Sequence, residues 1–353
     1  MTSYTPTIDQ LEVIRRLDRL LVRGPLPDPA LGARIERLER AFQSYAASYP
    51  FPLWAPGLLV DNEMRGATEA LLPISQLRAV FDLLLRLGCR FPPLLSGSYL
   101  HTAPGWLDFL QKLRPQLSSA NPAATLREFA RDGGKRTSFL FSLMLPHHFG
   151  GAFDRYPEQS RWLDCWLRVN HRRLGGRLRA LDSACGSGEG TYGLAEQLQA
   201  AGYDGQGSAV HGSTIETVEL FAAAHAFFPH DRQRQENYRA RVAPLISGPD
   251  RVAMEFQLDD VMDGPGCDGK VERYDLVLCN GLLGGPLLHE PRDLAAALRA
   301  LASRLAPGGV LLAADRFHAG WRLRTPAAAF RALMGEHGLT PLDVPEGVGG
   351  MKG

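Results

Sequence analysis

The stretch that most constrains this chain is Leu181-Asp-Ser-Ala-Cys-Gly-Ser-Gly-Glu-Gly-Thr-Tyr192. Ahead of it Leu178, Ala180 and Leu181 form a short apolar run, the pattern of a buried parallel strand. Behind it Leu194, Ala195, Leu198 and Ala201 recur at helical spacing. A strand, a turn with glycines at 186, 188 and 190, and a helix describe the first crossover of a doubly wound α/β sheet. Such sheets bind ligands at the carboxyl ends of their strands. There the glycines let backbone approach the ligand, and the helix start offers free amide donors.

The turn also narrows the ligand. A dinucleotide fingerprint requires Gly-x-Gly-x-x-Gly. Gly186 and Gly188 satisfy its first two positions, but the third falls on Thr191. Gly-x-Gly-x-Gly with Glu189 inside it suits S-adenosylmethionine better, whose ligand end carries an amino acid and no phosphates. Taken alone, the glycines also fit a plain tight turn.

The rest of the sheet follows from alternation. Ser208–His211, Val252–Phe256 and Tyr274–Cys279 read as the second, third and fourth strands, and Val310–Ala314 as the fifth. Helical spacing separates them to Phe227 and again over Leu294–Leu305. A last helix over Phe330–Met334 and an edge strand over Leu339–Val344 complete the series. The final Gly347–Gly353 is short for an antiparallel edge hairpin, so that edge is expected to be incomplete. A nucleoside-bearing cofactor crossing this edge meets the loop Ala184, Cys185, Gly186, Ser187, Gly188 and Glu189. It then meets Thr214, Ile215 and Glu216 after strand two, where an acid can accept from ribose hydroxyls. Asp260 after strand three can accept from the adenine amino group, with Val261 and Met262 on the ring face, and Asn280 and Gly281 follow strand four.

Residues 1–135 read as a separate helical domain, and 136–353 as the cofactor-binding domain. Thr7 with Gln10 resembles a capping box opening a helix through Val22, with Leu11, Ile14, Leu17 and Leu21 on one face. Ile35, Leu38, Phe42 and Tyr45 stripe a second helix, and Leu77, Val80, Phe81 and Leu84 a third. Trp162, Trp166 and Val169 mark an amphipathic helix leading into the first strand. Arg15, Arg16, Arg19 and Arg23 read as a solvated face balanced by nearby acids. A net charge of +1 gives no general field for nucleic acid or anionic membrane. Cys89, Cys165, Cys185, Cys267 and Cys279 are scattered without a Cys-x-x-Cys pair, which disfavours a zinc site or disulfide framework. His147 and His148 lack spaced partners for a metal. No apolar run approaches the ~20 residues of a membrane span, and no leader pattern opens the chain. A cytoplasmic protein without membrane insertion is the expectation.

At specific residues the chain resembles a known family. Ser183-Ala-Cys-Gly-Ser-Gly-Glu-Gly-Thr-Tyr192 resembles the Ala-Cys-Ser-Thr-Gly-Glu-Glu-Pro-Tyr loop of the CheR-type chemotaxis receptor methyltransferases. Val210–Thr217 is similar to that family's Ala-Thr-Asp-Ile-Asp strand end. Tyr274–Gly281 is similar to its Phe-Asp-Val-Ile-Phe-Cys-Arg-Asn, and Leu305–Gly309 to Leu-x-Pro-Gly-Gly. Thr137–Phe141 resembles a decayed Thr-x-Phe-Phe-Arg. The resemblance implies a class I Rossmann-like methyltransferase sheet that uses S-adenosylmethionine, releases S-adenosylhomocysteine and in the family esterifies receptor glutamates. Four positions depart from it. Thr214 stands where the family has an acid, and Phe141 where it has an arginine. Asn280-Gly281 replaces an Arg-Asn pair, and Gly285 falls on a tyrosine.

Methyl transfer from a sulfonium is an in-line displacement, so the protein positions a nucleophile and excludes water. A carboxylate acceptor needs no base; a hydroxyl or amine gains from one. Glu189, His211 and His289 are the bases within range, although Glu189 also suits the cofactor's amino group and His211 a core position. The sequence therefore supports a methyltransferase acting on a protein carboxylate or another oxygen or nitrogen. A catalytically silent module binding the cofactor or its product is the alternative, and a nicotinamide oxidoreductase is disfavoured by Thr191. The helical region can recognise the acceptor, cover the cleft or form a homodimer.

Overall fold

Short apolar runs separated by helical-period segments bury both sheet faces under helices, and the chain from Arg179 onward follows that rule. The computed structural model describes residues 3–48, 59–145, 152–203, 205–248, 251–263, 272–314 and 319–353. His147, His148 and Cys267 lie outside them. The chain divides into two compact units. One is Met1–Ile8, His147–Phe227 and Glu236–Gly353, and the other is Asp9–Pro146 and Phe228–Gln235.

The helical unit contains α1 (Gln10–Leu20), α2 (Pro29–Ser48), α3 (Asn62–Leu71), α4 (Ile74–Gly88), α5 (Tyr99–Thr102), α6 (Trp106–Leu113), α7 (Pro122–Arg131) and α8 (Gly133–Met144). Its core is aromatic: Phe81, Trp106, Phe109, Phe129 and Phe139 are fully buried, and the Phe129 and Phe139 rings stack at 4.5 Å. Arg136 crosses this unit, donating to the carbonyls of Phe129, Val22 and Gly24, and burial lowers its pKa. Helix α1 starts from Asp9, whose carboxylate accepts from Glu12 N at 2.8 Å, and not from a Thr7 and Gln10 box. Its buried face is Val13 and Leu17, while Leu11 is 80% exposed. The side chain two positions further along falls on the inner stripe instead. The N-terminal arginines pair with acids of their own segment, Arg15 and Arg16 with Glu12 and Arg23 with Asp18.

The sheet unit contains β1 (Ser3–Tyr4), α9 (Pro157–Asn170), β2 (Arg179–Ser183), α10 (Glu189–Ala200), β3 (Ala209–Thr214), α11 (Thr217–His225), β4 (Ala253–Leu258), β5 (Tyr274–Leu278), α13 (Pro291–Arg304), β6 (Leu305–Ala314), α14 (Ala319–Arg324), α15 (Ala327–Glu336), β7 (Leu339–Leu342) and β8 (Gly347–Lys352). Helix α12 (Arg232–Ser247) precedes β4. Nothing in the sequence pattern marks α12, because its buried residues Tyr238, Val242, Leu245 and Ile246 are diluted by eight charged or amide side chains and interrupted by Pro244. The eight strands order as β1-β4-β3-β2-β5-β6-β8-β7, a doubly wound Rossmann-like sheet with β2 to β6 parallel. The order reverses at β2: the chain builds outward to β3 and β4, then returns to place β5 on the other side. That reversal opens a crevice at the carboxyl ends.

Two edges differ from the sequence reading. Ser3 and Tyr4 add an antiparallel strand to β4. At the other edge β8 pairs with both β6 and β7, so the hairpin is complete. Three glycines depress its strand propensity, and crowding requires them: a Cβ at Gly349 would stand 2.6 Å from Val344 Cγ2. Helix α9 also turns a different face inward. Leu163 and Leu167 are buried, while Val169 is 81% exposed. Among the described residues no helix is long and apolar enough to cross a membrane.

Candidate functional site

Parallel register brings the candidate residues to one edge of the sheet. Ser183 stands opposite Ser213, Thr214 opposite Leu258, and Asp182 opposite Leu278. The loop 184–188, Thr214–Glu216, Asp260–Val261 and Asn280–Gly281 therefore all leave the same side. Their side chains do different work.

The glycine loop is a built feature. Cys185 N donates to Ser213 O at 2.8 Å, tying the loop to β3, and Gly188 N donates to Cys185 O. Ala184, Gly186 and Gly188 take positive φ, with Gly188 at +90° as the N-cap of α10. At Gly188 a Cβ would meet Ala223 Cβ at 2.8 Å and the Phe256 ring at 3.0 Å, so only glycine lets loop and α11 approach this closely. Gly186 faces open space instead, where backbone can lie against a ligand. From α12 the Tyr238 hydroxyl donates to Ser187 O at 2.6 Å, and its ring packs edge-on against Tyr192. Tyr238 was not marked by any sequence signal, since α12 itself was not.

Around the loop stand carboxylates. Asp182 is buried under the turn and accepts from Thr191 Oγ1 at 2.8 Å. Burial pushes its carboxyl up to about 7; the Thr191 hydrogen bond opposes this, and the neighbouring Glu189 charge adds to it. Glu189 accepts from Ser187 Oγ at 2.8 Å. Burial, and secondarily the charges of Asp182 and Glu219, pushes the Cys185 thiol up, so it stays a neutral thiol. Among the described residues no arginine or lysine pairs with Asp182 or Glu219; the ion pairs of Arg241, Arg304 and Arg179 are made with Glu196, Asp259 and Glu272.

At the end of β3 the Thr214 hydroxyl accepts from Glu216 N at 3.2 Å and donates to Glu219 Oε2 at 2.8 Å. The Glu216 carboxylate caps α11, accepting from Val218 N at 3.1 Å. Ile215 is half exposed. After β4, Asp260 Oδ1 accepts from Met262 N in its own turn, and Val261 and Met262 pack against the apolar core under α13. Buried Arg304 holds this turn by pairing with Asp259 and donating to Asp263 O at 3.1 Å. After β5 the Asn280 side chain is fully engaged in bonding. Its Oδ1 accepts from Ala314 N at 2.7 Å, and it forms a reciprocal amide pair with Gln159. Gly281 adopts φ of +76° beside Arg155 and Tyr156.

The candidate bases separate. His211 bonds Tyr274 Oη at 2.9 Å within the sheet, and burial together with the Arg179 charge lowers its pKa, so it is a neutral core histidine. His289 Nδ1 donates to Gly285 O at 3.2 Å, its Nε2 stands 3.3 Å from Glu290, and its ring packs on Trp321 at 4.7 Å. Phe141 is buried in α8 of the helical unit.

No family model matches this chain, and no curated protein matches it. Solved structures do. The N-methyltransferase NodS from Bradyrhizobium japonicum WM9, in complex with S-adenosylhomocysteine, is 16% identical with a TM-score of 0.37, over 61% of this chain and 98% of that one. The magnesium protoporphyrin IX methyltransferase ChlM from Synechocystis PCC 6803, with bound S-adenosylmethionine, is 18% identical with a TM-score of 0.35, over 55% and 78%. The sugar N-methyltransferase KedS8 from Streptoalloteichus sp ATCC 53650 is 17% identical with a TM-score of 0.35, over 58% and 95%. The likeness is one of fold.

Proposed function

We propose that this chain binds S-adenosylmethionine at the carboxyl ends of β2 to β5 and transfers its methyl group to an oxygen or nitrogen acceptor. The observation that carries this reading is the sign of the charge at the glycine loop. A phosphate-bearing nucleotide would meet the carboxylates of Glu189 and Glu219 beside the loop, and among the described residues no arginine or lysine pairs with Glu219. A ligand with an ammonium and a sulfonium meets complementary charge. The open face at Gly186 supplies the space for backbone contact.

When bound, the cofactor supplies an electrophilic methyl carbon. The chain's own residues do the rest. The glycine loop, locked by Ser213 O and Tyr238, holds a fixed surface for the amino-acid end. Glu189 and Glu219 face the positive charges. Asn280 and Gln159 fix the end of β5 where an acceptor approaches. An acceptor placed there would take the methyl group through its lone pair, the carbon–sulfur electron pair returning to sulfur, and a hydroxyl or amine acceptor would also give up its proton to water.

The finer reading, a divergent CheR-like branch acting on a protein carboxylate, rests chiefly on the 183–192 loop, since the other matched stretches are those of methyltransferases in general. Phe141, Gly281 and Gly285 give it no support on the acceptor side. A silent cofactor-binding module is the second reading, favoured by the engagement of Asn280 and His289 in structural bonds. Calorimetric titration with S-adenosylmethionine, S-adenosylhomocysteine and a nicotinamide dinucleotide tests the site. Binding of the first two only, abolished in Gly188→Val, is the expected result. Binding of the dinucleotide alone would overturn it, and turnover of methyl-labelled cofactor separates enzyme from module.

A further inference from the structure

The amino edge of the parallel sheet lies opposite the crevice, and basic residues gather there. Helix α9 begins at the crevice, where Gln159 bonds Asn280, and ends at the far edge, where the His171 ring bonds Gly202 O at 3.0 Å. From that end the chain reads Arg168-Val-Asn-His-Arg-Arg-Leu-Gly-Gly-Arg-Leu-Arg179, five arginines without an acid. All five are exposed. Their side chains spread along the edge: Arg173 Nη1 would stand 3.2 Å from a Cβ on Gly308 near the start of β6, Arg177 lies against Gly207 ahead of β3, and Arg179 opens β2. Exposed Arg251 precedes β4 and exposed Arg273 precedes β5, while Lys352 near the end of β8 donates to Leu305 O. Glu272, paired with Arg179, and Asp275, which accepts from Arg179 N, offset two of these eight charges. From β4 to β6 the row spans four strand spacings, roughly 19 Å. Val169, 81% exposed, and Met351, 38% exposed, stand among the basic side chains.

We infer that this edge docks onto an anionic lipid surface, with the crevice turned toward the water. A net charge of +1 conceals the patch, because acids crowd the opposite ends of the strands. Attraction to anionic headgroups falls off within a Debye length, so only arginines presented on one broad edge can share it. The aliphatic side chains decide between polyanions. A phosphodiester backbone gives Val169 and Met351 nothing to pack on, whereas the boundary of headgroups and acyl chains accepts them together with the arginines. A nucleic acid held here would also lie at the wrong ends of the strands to enter the crevice. The contact is peripheral, since no described helix is long and apolar enough to cross a membrane. It uses no residue of the cofactor site and stands or falls independently of the methyltransferase reading.

The test is flotation of the full chain with vesicles of phosphatidylcholine, alone or with roughly 30% phosphatidylserine, at low and high salt. Binding about tenfold or more tighter to the anionic vesicles at about 0.1 M salt, and lost at about 0.5 M, is expected. The combined variant Arg168→Gln, Arg172→Gln, Arg173→Gln should weaken that binding by about a hundredfold. Removing three exposed charges from α2 instead, with Arg34→Gln, Arg37→Gln and Arg40→Gln, should change it by less than about threefold. Melting curves of both variants should match the unaltered chain within about 2 °C, because all six side chains are exposed. Equal loss in the two variants, or no loss in the first, overturns the proposal. So does equal binding to the two kinds of vesicle, or a double-stranded oligonucleotide bound more tightly than the anionic vesicles at the same salt.

Discussion

At the scale of single residues, the loop makes two kinds of demand that one substitution each can separate. Gly188→Ala should destabilise the fold by about 1–3 kcal/mol, since it adds left-handed strain and presses on Ala223 and Phe256. Gly186→Ala meets no neighbouring atom, so it should lose about 1 kcal/mol of stability yet weaken cofactor binding more strongly. Urea unfolding and calorimetry on both variants check the contrast. Asp182 makes a prediction about pH. Its folded pKa of about 7 lies above the ordinary carboxylate value, so the folded state holds the proton more tightly. The stability this contributes is fully present below pH ~4 and is lost as pH rises through about 7. Melting curves from pH 4 to 8 should therefore fall more steeply for the unaltered chain than for Asp182→Asn. Which residues stand near the cofactor was legible in the sequence, because strand ends in a parallel sheet converge. Which of their lone pairs are already used was not: Glu216 and Asp260 bond backbone of their own turns through dihedral angles that spacing does not encode, and Asn280 bonds Ala314 N and the Gln159 amide, partners distant in the chain.

At the scale of elements, helix faces give the clearest lesson. Apolar side chains on α1 and α9 outnumber the positions their neighbours can cover. The tryptophans of α9 mark one stripe in the sequence, while Leu163 and Leu167 form the buried one. Leu167→Ala should cost about 2–5 kcal/mol through the cavity it leaves, and Val169→Ser should stay within about 0.5 kcal/mol, both measured by chemical denaturation. The central strands were legible because burial on both faces demands continuous apolar runs. Strand β8 was not, because its glycines fit crowding by Val344 and Leu339 and leave no hydrophobic alternation to see. Deleting Gly347–Gly353 removes the strand between β6 and β7 and should abolish cooperative unfolding, visible as a lost melting transition.

At the scale of the whole molecule, a net charge of +1 conceals an acidic crevice. A nearly neutral chain gathers Asp182, Glu189, Glu216 and Glu219 within one strand-end region, and a cationic ligand relieves part of that crowding. S-adenosylmethionine at a hundred times its dissociation constant should stabilise the protein by about 2.7 kcal/mol. Because Glu219 is held above its ordinary pKa by burial and Glu189, binding of a cation should release protons, and affinity should rise with pH as Glu219 ionises. Titrations in two buffers of different ionisation enthalpy measure that release directly.

Strand β1 adds a matter of timing. Ser3 and Tyr4 pair with Gln257 and Phe256, and the Thr7 backbone bonds Ala224 O and the His225 ring. Those partners emerge from a ribosome roughly 10–50 s later, at synthesis rates of about 5–20 residues per second. Through that interval the opening segment waits without its docking edge, and the sheet acquires its outermost strand only after most of the parallel strands exist. A nascent chain arrested short of β4 should leave residues 3–8 open to a protease, and release past β4 should close them.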